Sequence, residues 1–97
     1  MKKATVVVVN RLGLHARPSA ALSQLASRFK SEVWLSKGSR RVNAKSIMGV
    51  MMLAAARGAN LVIDVDGPDE DAALAALIEL VGSGFGEGVS PADPPEH

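Results

Sequence analysis

Residues 5–29, TVVVVNRLGLHARPSAALSQLASRF, change character halfway, and that change decides the fold. Thr5 to Val9 are β-branched throughout and stop at Asn10, which reads as a buried strand bounded by a polar loop. From Pro18 onward the apolar residues Leu22, Leu25, Ala26 and Phe29 recur with helical spacing. Ser19, Gln24, Ser27, Arg28 and Lys30 fall mostly on the other side. Proline is tolerated in a first turn, where its missing N–H has no intrahelical partner, so the helix is expected to begin at about Ala16, directly after His15.

Working outward, Glu32 to Ser36 alternates as a strand does, Lys37-Gly38-Ser39 supplies a turn, and Arg40 to Ala44 returns as the second strand of a hairpin. Ser46 precedes the apolar run IMGVMMLAAA, an N-cap signal for a short helix that Gly49 weakens. Arg57 to Asn60 break the run, Leu61 to Val65 form a strand, and Gly67-Pro68 turn the chain. Asp69, Glu70 and Asp71 then sit where a helix N-terminus favours negative charge, with Leu74, Leu77, Ile78 and Val81 as the apolar face. The Gly- and Pro-rich end stops that helix and continues as a loose tail, giving a domain at 1–88 and a tail at 89–97. The order β-α-β-β-α-β-α predicts an α+β fold: a two-layer sandwich with helices on one sheet face and the other face partly open.

Ninety-seven residues make one domain, too small for a deep cleft between domains, so a ligand site should lie near the surface. Eleven basic against ten acidic residues give a formal charge of +1, which argues against a general attraction to nucleic acid or anionic membrane. A small RNA-binding module would also need an aromatic-rich strand, and only Phe29, Trp34 and Phe85 are aromatic. The lack of cysteine removes disulfides, thiolate nucleophiles and Cys-based zinc sites, and fits an intracellular protein. The apolar run after Met1-Lys2-Lys3 is too short for a signal peptide or a membrane span, so a cytoplasmic protein is expected.

The chemistry must come from few residues. His15 stands at the start of a helix whose first N–H groups lack intrahelical acceptors, and such a terminus attracts anions. A neutral imidazole there has one unprotonated nitrogen able to accept a phosphoryl group, and Arg17 adds a planar cation for phosphate oxygens. Phosphoryl transfer needs positioning and charge stabilisation more than a deep pocket. Gly13 lets the loop turn tightly and lets another protein's backbone come close. His97 is the only other imidazole and sits in the tail, so no metal site is expected. The bland alternative makes His15 a surface residue and Arg17 a solubilising charge.

Two motifs go further. GLHARP (Gly13–Pro18) and NAKSIMGVMMLAA (Asn43–Ala55) together resemble the HPr family of phosphocarrier proteins of the bacterial phosphoenolpyruvate-dependent phosphotransferase system, over roughly residues 2–86. The resemblance implies a sheet of four antiparallel strands, ordered 1-4-2-3, beneath three helices. It also implies a carrier phosphorylated by enzyme I at His15, through Nδ1 and accompanied by Arg17, that passes the phosphoryl to an enzyme II A-type acceptor. Such a protein is a stoichiometric carrier and not an enzyme, needs no cofactor, and works as a monomer.

Ser46 matches a serine that an ATP-dependent HPr kinase/phosphorylase modifies in many members. On spacing alone, core packing is the better account of Met48, Met51 and Met52. The resemblance instead places Ile47, Met48 and Met51 with Ala16, Arg17 and Ala20 in a docking patch, leaving Val50 and Leu53 facing the sheet. Lys37, Arg40, Arg41 and Lys45 read as a solvated basic hairpin or as a complement to acidic partners. Ser19 departs from the small apolar residue of many members. NRLGLHARP and SGFGEG look like the nitrogen-related branch, whereas NAKSIMGVMML looks like the branch with a regulatory serine. A regulatory partner-binding protein of the same fold is the alternative.

Overall fold

The computed structural model describes residues 1–86. Four strands, β1 (Lys2–Val7), β2 (Glu32–Lys37), β3 (Arg40–Asn43) and β4 (Asn60–Asp66), alternate with α1 (Ala16–Ser27), α2 (Ile47–Met52) and α3 (Glu70–Gly82). A single 3₁₀ turn, Gly84–Gly86, follows. All strand pairs are antiparallel and the sheet order is β1-β4-β2-β3. The α+β sandwich and the strand order expected from the sequence are therefore found. The boundary at residue 88, the 89–97 tail and His97 lie outside the described residues.

The sheet has two different faces because side chains alternate along each strand. Val33, Leu35, Leu61, Ile63 and Val65 point inward and are buried with Leu22, Ala26, Val50, Leu53, Leu77 and Val81 from the helices. Thr5, Val7, Trp34, Arg41, Val62 and Asp64 point the other way, where the Arg41 guanidinium lies 4.6 Å from the centre of the Trp34 ring.

Four local expectations need correction. β1 starts earlier, at Lys2, and ends at Val7, which is exposed. It is an edge strand, so its β-branched run is buried only in alternation. Beyond it Val8 leaves the regular ladder, donating to the Ala59 carbonyl (2.9 Å) and accepting from the Gly58 N–H (2.8 Å). Second, Ser19 is buried instead of facing solvent. Its hydroxyl donates to the Leu14 carbonyl at 3.1 Å, and Ser23 likewise donates to the Lys45 carbonyl at 2.8 Å. Small hydroxyls that find carbonyl partners sit inside without an unmet polar group. Third, α1 ends at Ser27, so Phe29 packs on the core from beyond the helix. Finally, Ala73 is buried with Leu77 and Val81 on α3, while Ile78 is exposed.

Candidate functional site

The loop between β1 and α1 is built around Asn10 and Gly13. The fully buried Asn10 amide donates from Nδ2 to the Gly13 carbonyl (2.8 Å), and the Gly13 N–H donates back to the Asn10 carbonyl (3.2 Å). Gly13 has φ +68, a left-handed conformation open mainly to glycine. A Cβ on it would stand 2.3 Å from the Ala55 carbonyl oxygen and 2.9 Å from Ala56 Cα. The backbone that closes on Gly13 is therefore the chain's own, which corrects the expectation of a partner's backbone. The next residue, Leu14, donates to that same Ala55 carbonyl at 2.9 Å.

This brace delivers His15 to the N-cap of α1 in extended backbone conformation, φ −80 and ψ −169. The His15 carbonyl accepts the first intrahelical bond, from the Ser19 N–H at 3.0 Å. Ala16 and Arg17 follow in the first turn, both exposed, while Pro18 is buried in a position that needs no N–H acceptor. No acidic residue lies in that turn, so the N–H groups and the helix dipole meet no carboxylate of the first turn. His15 is half-buried, and the cationic Arg17 adjoins it in the chain. The arrangement suits an anion approaching the imidazole from solvent.

α2 lies beside α1. The Ser46 Oγ accepts a hydrogen bond from the Gly49 N–H at 3.0 Å, the N-cap the sequence signalled. The other end carries caps the sequence did not signal. Arg40 donates to the Met52 carbonyl at 2.7 Å and Lys37 to the Ala54 carbonyl at 3.3 Å. Lys45 donates to the Phe29 carbonyl at 2.9 Å. With Arg41 on Trp34, each member of the basic run has a partner within the chain, while Arg40 and Arg41 remain exposed, so the solvated hairpin also caps its neighbours.

Val50 and Leu53 face the core as expected. Met48, Met51 and Met52 do not, with 67%, 36% and 61% of their surface exposed, so core packing, the reading spacing favoured, is overturned. The reason is geometric: in so short a helix only the stripe carrying Val50 can meet the sheet. Ile47 is exposed beside them. The apolar surface of α2 and the His15 loop are thus joined through Ala55, with Ala20 half-buried one turn along α1. Ser46 stands at the far end of α2, roughly 9 Å of helix away from its last residue. Among the described residues no cluster of three or more His, Asp or Glu side chains could hold a metal ion.

The fold and the site together define a class: a small α+β domain with a four-stranded antiparallel sheet and a half-buried histidine at the N-terminus of its first helix. A sequence profile described as the phosphorylation-site HPr component of the phosphotransferase system matches residues 2–83. The phosphocarrier protein HPr of Neisseria meningitidis is 53% identical over 91% of this chain and 99% of its own. That of Cupriavidus necator is 52% identical over the same shares. Among solved structures, an HPr from Thermoanaerobacter tengcongensis superposes with a TM-score of 0.88, at 45% identity, over 92% of this chain and all of the other. The HPr of Bacillus anthracis gives 0.80, at 41% identity, over 82% and 95%. The chain belongs to the HPr family of phosphocarriers of the bacterial phosphotransferase system. No helix of the described residues is long and apolar enough to cross a membrane.

Proposed function

We propose that the protein accepts a phosphoryl group from phospho-enzyme I on His15 and hands it to an enzyme II A-type acceptor. The observation that carries this reading is the placement of His15 as the N-cap of α1, braced by Asn10, Gly13 and Ala55 and followed by Arg17. The unprotonated Nδ1 attacks phosphorus as the bond to the donor breaks, and the donor leaves with the electron pair. Arg17 and the first-turn N–H groups then face the charge on the phosphoryl oxygens. Release to the acceptor reverses these steps, so the protein is regenerated and acts as a carrier and not as an enzyme. It works in the cytoplasm as a monomer that meets each partner in turn.

Both partners meet the face formed by Ala16, Arg17 and Ala20 of α1 with Ile47, Met48 and Met51 of α2. Exposed apolar side chains on α2, the helix that packs against α1, support that assignment. Ser46 is the site for an HPr kinase/phosphorylase. Its hydroxyl is exposed at a helix N-terminus, where a phosphate meets free donors instead of melting the helix, and its roughly two negative charges would repel an acidic partner.

Incubation with phosphoenolpyruvate and enzyme I, followed by intact mass and acid lability, tests the reading. One acid-labile phosphoryl group on the protein and none on His15→Ala, with the fold retained, is the expected result. Equal labelling of His15→Ala would remove His15 from the reaction. No labelling of the native protein would favour a partner-binding regulator.

A further inference from the structure

Three of the chain's four methionines lie in the six residues of α2, and their thioethers line the surface instead of the core. Leucine or isoleucine would supply the same apolar area. Methionine alone adds a sulfur that a two-electron oxidant can reach. We propose that Met48, Met51 and Met52 form a reversible oxidation site, through which peroxide detaches the protein from its phosphotransfer partners without touching His15. The proposal rests on the docking reading of α2 given above.

The step is simple. A sulfur lone pair attacks one peroxide oxygen, the O–O bond breaks, and the sulfoxide forms as the other oxygen leaves as water or alcohol. Sulfur loses two electrons and the peroxide gains them, and a thiol-dependent sulfoxide reductase reverses the change. Each sulfoxide puts a strong dipole and a hydrogen-bond acceptor where an apolar contact stood, so docking would bury polar groups without partners. The fold should be spared, because Val50 and Leu53 fill the core beneath α2 and both helix ends are held by Ser46, Arg40 and Lys37. Exposure sets the order of reaction: Met48 and Met52 before Met51.

The test uses hydrogen peroxide on the purified full chain, with peptide mass mapping and the initial rate of phosphoryl transfer from enzyme I. Each protein is compared with its own unoxidised form. The native protein with all three sulfoxides should transfer roughly tenfold more slowly, by a raised KM with kcat kept, and sulfoxide reductase should restore the rate. The variant carrying Met48→Leu, Met51→Leu and Met52→Leu keeps Met1, and its oxidised-to-unoxidised rate ratio should stay near one. Unchanged transfer by the native protein with three mapped sulfoxides overturns the proposal. So does equal slowing of the leucine variant, which would locate the damage elsewhere. If the untreated protein accepts no phosphoryl at all, the functional reading itself fails, and this is seen before any peroxide is added.

Discussion

Gly13 and Ala55 are so close that a side chain on the glycine would overlap the Ala55 carbonyl oxygen, 2.3 Å from where its Cβ would stand. This contact fastens the His15 loop to the segment that follows α2. Gly13→Ala has to relieve a backbone clash and a left-handed φ together, and the φ alone costs about 1–2 kcal/mol. We expect a loss of about 2 kcal/mol or more in urea unfolding, with slower phosphoryl acceptance by the folded fraction. A midpoint equal to the native one would mean that the loop yields there without cost.

Most of this frame was legible in the sequence, because period changes at Asn10, Ser46 and Gly67 mark each of the three passages from strand to helix. The motif also marked His15 and Arg17. Hydrogen bonds that join segments distant in the chain were not legible. Nothing near Ser19 signals that its hydroxyl meets a buried carbonyl, and nothing near Arg40 signals the end of a helix twelve residues on. The methionines misled because apolar spacing reports that a helix buries one side, and cannot say how much of a six-residue helix the sheet covers.

Arg17 is exposed in the first turn of α1, so its charge serves the surface more than the fold. On the proposed function, Arg17→Glu places a carboxylate where the phosphoryl oxygens would come. Transfer should slow by at least about tenfold, as expected on losing a charge-assisted contact in the transition state. The melting temperature should hardly move, because a carboxylate also suits a helix N-terminus. Equal rates for the two proteins would take Arg17 out of the mechanism.

α2 is too short to persist alone, and its two ends are held by different elements. Ser46→Ala removes the cap at one end and should cost about 1 kcal/mol. Arg40→Ala removes the 2.7 Å bond to the Met52 carbonyl at the other. Hydrogen exchange should then quicken at Val50, Leu53 and Ala54, whose N–H groups bond within this segment, while amides of β4 keep their protection. Uniform quickening across the sheet would show that Arg40 supports the whole domain and not this helix.

Asp69 ties the start of α3 to the turn after α1. Its carboxylate accepts from the Ser31 hydroxyl, from the Lys30 N–H at 2.9 Å and from the Ser31 N–H at 3.0 Å. The Ser31 hydroxyl first, and then these backbone donors, lower its pKa from the ordinary 3.8 to about 2. Such a group favours the folded state wherever the carboxylate is charged in both states, which is above about pH 4. Between about pH 4 and pH 2 the unfolded chain binds the proton more readily, so stability should fall as pH falls through that window, and below it this contribution is gone. Urea midpoints measured from pH 5 to pH 2 should therefore decline more steeply for the native protein than for Asp69→Asn, whose amide cannot titrate. Asp69→Asn should also be the less stable of the two at pH 7, since an amide accepts less strongly from the same donors. Parallel pH profiles for the two proteins would assign the acid sensitivity to other carboxylates, of which Glu70, held below its ordinary pKa by the Gly67 N–H, is the nearest in the chain.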